Sequence, residues 1–298
     1  MASEVIISRS FSHEETRDIA QRLEQHDAIF SQLWQIGHQT FNSEIKTACV
    51  AFDEIGQVIS LEVNPNFWKL QSPKQQAFIM CHELLHVLLE HGRRAKDSPT
   101  ANAQANNVCM DVVVNELLVG SFGFDRKEID PKNNLCWIDT VFKDRDDILS
   151  DQTFEYYLNQ LPKVKCKCSG GKDGKNGKGC SCPLPGKVGG QVLDDHSKLK
   201  PADISKMLEQ AASRMSQEER ENVLEKLGKE GEATDTTSNQ RGTTGGNFVK
   251  IMSAARAAKK RKWESVIKKC LRKIAAEGPE ETWITARNRR LAGINSSK

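Results

Sequence analysis

The run Ala77-Phe78-Ile79-Met80-Cys81-His82-Glu83-Leu84-Leu85-His86-Val87-Leu88-Leu89-Glu90-His91-Gly92 sets two histidines and a glutamate in a mainly apolar stretch. Its start is marked by Ser72 as an N-cap, Pro73 at the first helical position and Gln75 where a capping box takes Glu or Gln. Gly92 is suited to end it as the residue past the C-cap. Between these stops the spacing predicts a helix of about five turns. His82 and His86 then lie about 40° apart on one face, one turn from each other, with Glu83 on the adjoining face. Apolar residues occupy most of the remaining wheel, so the helix is expected to be buried on most sides. Imidazoles and a carboxylate in such a helix must be paired, ligated or functional, because burying them alone is costly.

His82-Glu83-Leu84-Leu85-His86 fits the HExxH pattern of zincins, in which two histidines one turn apart hold Zn2+ and the glutamate acts as general base. Catalytic zinc takes a third protein ligand, and two candidates exist. His91 follows His86 by five residues, about 140° around the same helix. It reaches the metal only if the helix breaks first, and the sequence from Val87 to Glu90 contains no breaker. Asp111 belongs to a second expected helix, Ala101 to Leu118 with Gly120 as its stop, on which Asn107, Asp111 and Asn115 share a face at four-residue spacing. Asp111 is the favoured ligand, and His91 is read as a helix-end or surface residue. Asn107 and Asn115 are candidates to orient the ligands. Arg93 and Arg94, in an expected loop from Arg93 to Thr100, are weak candidates for stabilising an oxyanion.

Upstream, Ser12 with Glu15 signals a capping box, and Ile19, Leu23, Phe30, Leu33 and Ile36 follow at helical spacings. Ile45–Phe52 and Val58–Val63 read as two strands joined around Asp53-Glu54-Ile55-Gly56. A hairpin before the HExxH helix suits an edge strand that holds an extended peptide. A short apolar element is expected around Leu135 to Phe142, and a helix from Thr153.

Composition changes at Lys163, where a Gly- and Lys-rich stretch carries Cys166, Cys168, Cys180 and Cys182 as two Cys-x-Cys pairs. Four thiolates suit a structural zinc, although one intervening residue makes a tighter bite than the usual two. A plain flexible loop is the alternative. Cys49, Cys81 and Cys109 fall in apolar stretches and are expected to be reduced core residues. Residues 202–228 read as one or two amphipathic helices, 230–247 as a linker by composition, and 248–276 as one basic helix. Residues 248–298 hold 14 Lys/Arg against 4 Asp/Glu, a balance of +10, so the first 247 residues carry 29 against 36, or −7. The basic end makes nucleic acid a secondary candidate partner. No apolar run is long enough to span a bilayer, and the N-terminus lacks a signal-peptide pattern, so a cytoplasmic protein is expected.

With these residues named, the chain resembles the metallopeptidase-domain family of the zincin class from bacteria and phage, which commonly precedes a von Willebrand A-like domain. The resemblance rests on several segments. These are Val63-Asn64-Pro65, the HExxH helix with His91 and Arg93-Arg94, the Asn107-x3-Asp111-x3-Asn115 helix, Thr153-Phe154-Glu155-Tyr156-Tyr157, Trp263, and Trp283 with Arg287, Arg289 and Arg290. It covers most of the chain except the Cys/Gly segment. The resemblance implies a peptidase acting on proteins or peptides and a von Willebrand A-like partner domain; this sequence stops at Lys298 before any such domain. The expected architecture is α+β: a zincin-like metallopeptidase domain over 1–162, an insert over 163–200, and a mostly helical, basic region over 201–298. A catalytically silent metal-binding scaffold is the competing reading.

Overall fold

The computed structural model describes residues 9–52, 59–97, 103–161, 191–193, 204–239, 248–253, 265–269 and 271–272. The chain divides into two compact units, 1–252 and 253–298. In the second, the described residues are helical and exposed, among them Val266, Ile267 and Leu271. Cys166, Cys168, Cys180 and Cys182 lie outside the described residues, as does most of the basic C-terminal segment.

The first unit is α+β. It begins with strand β1 (Arg9–Ser10) and helix α1 (His13–Glu24), whose N-cap Ser12 and Glu15 form the expected capping box. The apolar spacing that runs on to Ile36 belongs to two helices instead of one. Asp27, with extended backbone, interrupts it and caps α2 (Ala28–Ile36) by accepting from the Ile29 N–H. A side chain that satisfies a free helix-start N–H favours such a break. Trp34 ties the two helices together by donating its ring N–H to Thr16 O at 2.9 Å.

Three more strands follow: β2 (His38–Phe41), β3 (Ala48–Phe52) and β4 (Ile59–Val63). The sheet order is β1-β2-β4-β3, with β2 parallel to β4 and the other pairs antiparallel. The expected hairpin is therefore the β3–β4 pair, and it sits in a larger mixed sheet. Ile59, Leu61 and Val63 are buried while Ser60 and Glu62 are half-buried, the alternation of a strand with one covered face. β3 lies at the sheet edge and packs against the HExxH helix.

Asn64 caps the short helix α3 (Pro65–Lys69), which leads into α4 (Pro73–Leu88). Both halves of the Ser72/Gln75 capping box form. Every α4 residue from Ala77 to Leu88 is buried, and each large apolar side chain so covered contributes about 1.5–3 kcal/mol before entropy is counted. α4 does not run on to Gly92. Leu89 is its C-cap, and Glu90 takes a left-handed φ of 50° that turns the chain into α5 (His91–Asp97). The expected Arg93–Thr100 loop is thus helical over its described part.

Helix α6 (Ala103–Gly120) packs on α4 and α5, and the short helices α7 (Arg126–Ile129), α8 (Ile138–Val141) and α9 (Phe154–Gln160) follow. Thr153 caps α9, as expected. Helix α10 (Ser205–Arg214) packs against α2. Helix α11 (Gln217–Asn239) bends at Gly228, whose φ of 48° departs from helical geometry. The composition of 230–247 reads as a linker, yet its described part, through Asn239, continues this helix, and Glu230 and Thr234 are buried. Residues 248–253 are again helical, with Phe248, Ile251 and Met252 buried. No helix among the described residues is long and apolar enough to cross a membrane.

Candidate metal centre

One turn of α4 and the middle of α6 bring three ligand-type atoms together. His86 Nε2 lies 3.0 Å from His82 Nε2. Asp111 Oδ1 lies 3.7 Å from His82 Nε2 and 3.5 Å from His86 Nε2. All three side chains are fully buried, and they form the His/Cys/Asp/Glu group among the described residues whose geometry suits a metal ion. Ligands at about 2.0–2.1 Å from a tetrahedral zinc stand about 3.3–3.4 Å apart, and the observed spacings bracket that value. Two imidazole nitrogens and a carboxylate oxygen also form a donor set that suits zinc or another divalent transition ion. The residues present therefore fit a metal.

Each of the three has an outer partner that fixes its orientation. His82 Nδ1 is 3.0 Å from Asn115 Oδ1. The amide nitrogen of Asn115 donates to Cys136 O at 3.0 Å, so the amide oxygen is the atom facing His82. An oxygen acceptor places the His82 proton on Nδ1 and leaves a lone pair on Nε2. Asp111 Oδ2 accepts the backbone N–H of Leu193 at 3.0 Å, which leaves Oδ1 toward the histidines. Asn115 thus takes the orienting position expected for it, whereas Asn107 is half-buried. Glu83 is fully buried beside His82 on α4.

His91 corrects a sequence expectation. It does stand at a helix end, as the first residue of α5, but it is fully buried and not at the surface, because the left-handed Glu90 turns the chain there. Its Nδ1 lies 2.8 Å from His86 Nδ1, the ring nitrogen of His86 that does not face His82, and its Nε2 lies 3.2 Å from Glu230 Oε1, so His91 contacts His86 but does not join the His82/His86/Asp111 group. Arg93 and Arg94 are also committed elsewhere. Arg93 pairs with Glu90 and donates to Thr234 O at 3.2 Å. Arg94 is fully buried, 2.6 Å from both Glu230 Oε1 and Glu155 Oε2, with its guanidinium 4.8 Å from the Phe154 ring centre. Burial works against its charge, but the Glu230 and Glu155 carboxylates outweigh that and hold its pKa above the ordinary arginine value.

Glu230 and the Leu193 amide carry no signal of their own in the sequence, and Glu155 is named there only within a segment of the resemblance. Glu230 stands in a stretch whose composition is that of a linker, and a backbone N–H has no side-chain signature. Cys49, Cys81, Cys109 and Cys136 are buried and in no disulfide among the described residues, and burial raises the pKa of Cys81, Cys109 and Cys136 well above that of an exposed cysteine.

No curated protein and no solved structure matches the chain. A family model described as "Putative metallopeptidase domain" covers residues 10–298, so every helix from α1 onward lies inside the match, and the chain belongs to that family.

Proposed function

We propose that this domain is a zinc-dependent peptidase in which His82, His86 and Asp111 hold the metal and Glu83 is the general base. The observation that carries the reading is the convergence of His82 Nε2, His86 Nε2 and Asp111 Oδ1 in a fully buried group on an HExxH helix. Zinc bound there supplies a Lewis acid that polarises a substrate carbonyl and makes water a competent nucleophile near neutral pH. Glu83, next in sequence to His82 and outside the ligand set, takes the proton from the attacking water and returns it to the leaving amine. Such proton transfer contributes typically about 10²–10⁴-fold in rate. Family membership supports proteins or peptides as the substrate class. The position of β3 at the sheet edge and against α4 supports an extended peptide paired to that strand. A second zinc on Cys166, Cys168, Cys180 and Cys182 remains a proposal from the sequence, read out by metal stoichiometry in a variant with all four changed to Ser.

The test compares wild type with Glu83→Gln and His86→Ala for zinc content and peptide hydrolysis. Glu83→Gln is expected to keep the metal and the fold while hydrolysis is lost. His86→Ala is expected to lose both metal and hydrolysis. Full activity in Glu83→Gln, or metal loss there as complete as in His86→Ala, refutes the assigned roles.

A further inference from the structure

We infer that His91 and Glu230 are positioning residues that fix the tautomer of His86, so that the C-terminal helix α11 completes a centre otherwise built from α4 and α6. The inference rests on the reading of that centre as a metal site. A neutral imidazole carries one proton, and His86 can offer a lone pair from Nε2 to the group it shares with His82 and Asp111 only if that proton sits on Nδ1. His86 Nδ1 is 2.8 Å from His91 Nδ1. One nitrogen must donate and the other accept, so His91 Nδ1 is bare and the His91 proton is on Nε2. That Nε2 is 3.2 Å from Glu230 Oε1, a carboxylate oxygen able only to accept. The chain of bonds is therefore consistent in one direction, His86 to His91 to Glu230. Reversed, it sets a bare nitrogen against a carboxylate.

The far end of the chain is anchored. Arg94 Nη1 donates to the same Glu230 oxygen at 2.6 Å, and the Phe154 backbone N–H donates to Oε2 at 3.3 Å. His91 is also flanked by the Phe154 ring, with centroids 5.7 Å apart. Every member of the chain is buried, so water does not compete for these bonds. His82 gets the same service from a single neutral amide, Asn115. His86 gets it from a carboxylate relayed through a second imidazole, which makes its Nε2 the more basic of the two donors.

Two measurements test this. The first needs no variant: long-range ¹H–¹⁵N spectra of zinc-loaded wild type labelled in histidine. The expected result is a neutral His91 protonated on Nε2, with a ¹⁵N–¹⁵N coupling between His86 Nδ1 and His91 Nδ1 across the hydrogen bond. A His91 protonated on Nδ1, or on both nitrogens, overturns the inference. The second is zinc affinity by chelator competition in wild type, His91→Phe and Glu230→Gln. Loss of an outer partner of this kind lowers metal affinity about 10–100-fold, and that is expected for His91→Phe. Glu230→Gln is expected to lose less, because an amide oxygen still accepts from His91. A wild type that takes up no zinc sinks the reading of the centre itself. A wild type that binds zinc, with His91→Phe binding equally well, sinks the relay alone.

Discussion

Replacing Arg94 with Met keeps the length and most of the apolar contact of the side chain while deleting its charge. In the native protein that guanidinium is fully buried and bonded to Glu230, Glu155 and the Leu89 carbonyl. The cost divides unequally between the two carboxylates. Glu155 is 34% exposed and can turn to water, so its pair is screened and contributes under about 1 kcal/mol. Glu230 is 3% exposed and has no such escape; leaving a buried carboxylate without its cation costs about 3–5 kcal/mol. For a unit of this size each kcal/mol moves the midpoint by about 2–4 °C, so a loss of about 3–6 kcal/mol should lower Tm by roughly 6–24 °C. The assay is urea and thermal unfolding in the presence of a chelator, which removes metal linkage from the comparison. The double variant Arg94→Met with Glu230→Gln removes the orphaned charge and should regain about 2 kcal/mol or more of the single-variant loss, as coupled residues do. A single-variant loss below about 1 kcal/mol, or a double variant no more stable than Arg94→Met, refutes the placement of α11 against α5.

Three further outcomes are expected. Asp111→Ala should abolish tight zinc binding while Asn107→Ala, half-buried on the same helix, leaves zinc content unchanged; equal effects in elemental analysis would remove Asp111 from the ligand set. The Glu15 carboxylate is held at about 2, first by its hydrogen bond with Arg9 and then by Ser12, so its stabilisation is present above the ordinary carboxylate pKa and is lost as pH falls toward 2. The advantage of wild type over Glu15→Gln in urea titrations should accordingly be constant near neutrality and shrink through that acid window, and an advantage that persists at pH 2 counts against the assignment. Gly228→Ala forces a side chain onto a φ of 48° and ψ of −135° and should cost about 1–3 kcal/mol, measured by the same unfolding assay; a neutral result would mean that α11 can straighten without penalty.

What could be read from the sequence was local. Ser72, Pro73 and Gln75 announce the start of α4 through groups within one turn of each other, and Asp111, which the fold sets beside His82 and His86, is singled out because four-residue spacing puts a polar stripe on an otherwise apolar helix. What escaped was settled by contacts between distant segments. The break at Glu90 uses a residue with no intrinsic preference for left-handed backbone. It is fixed by the burial of His91 and Arg94 on the far side of the turn, and by the Glu90–Arg93 pair. Strand β2, His38-Gln39-Thr40-Phe41, lacks clean apolar alternation and exists because β4 offers it a parallel partner. Glu230 is buried by an ion pair instead of by apolar periodicity, so composition alone assigned it to a linker.

His91 and Glu230 are separated by 139 positions. At a synthesis rate of about 5–20 residues per second, the carboxylate leaves the ribosome on the order of ten seconds after the imidazole it will meet. Bringing the two together closes a loop whose entropy cost is roughly 4 kcal/mol, so the contact forms only when the packing of α11 supplies that free energy. A nascent or truncated chain ending before Glu230 therefore exposes the histidine pair without its last constraint. Under the proposed function this ordering would act as a proofreading step, in which a metal is gripped at full strength only by a molecule that has been translated and folded through α11.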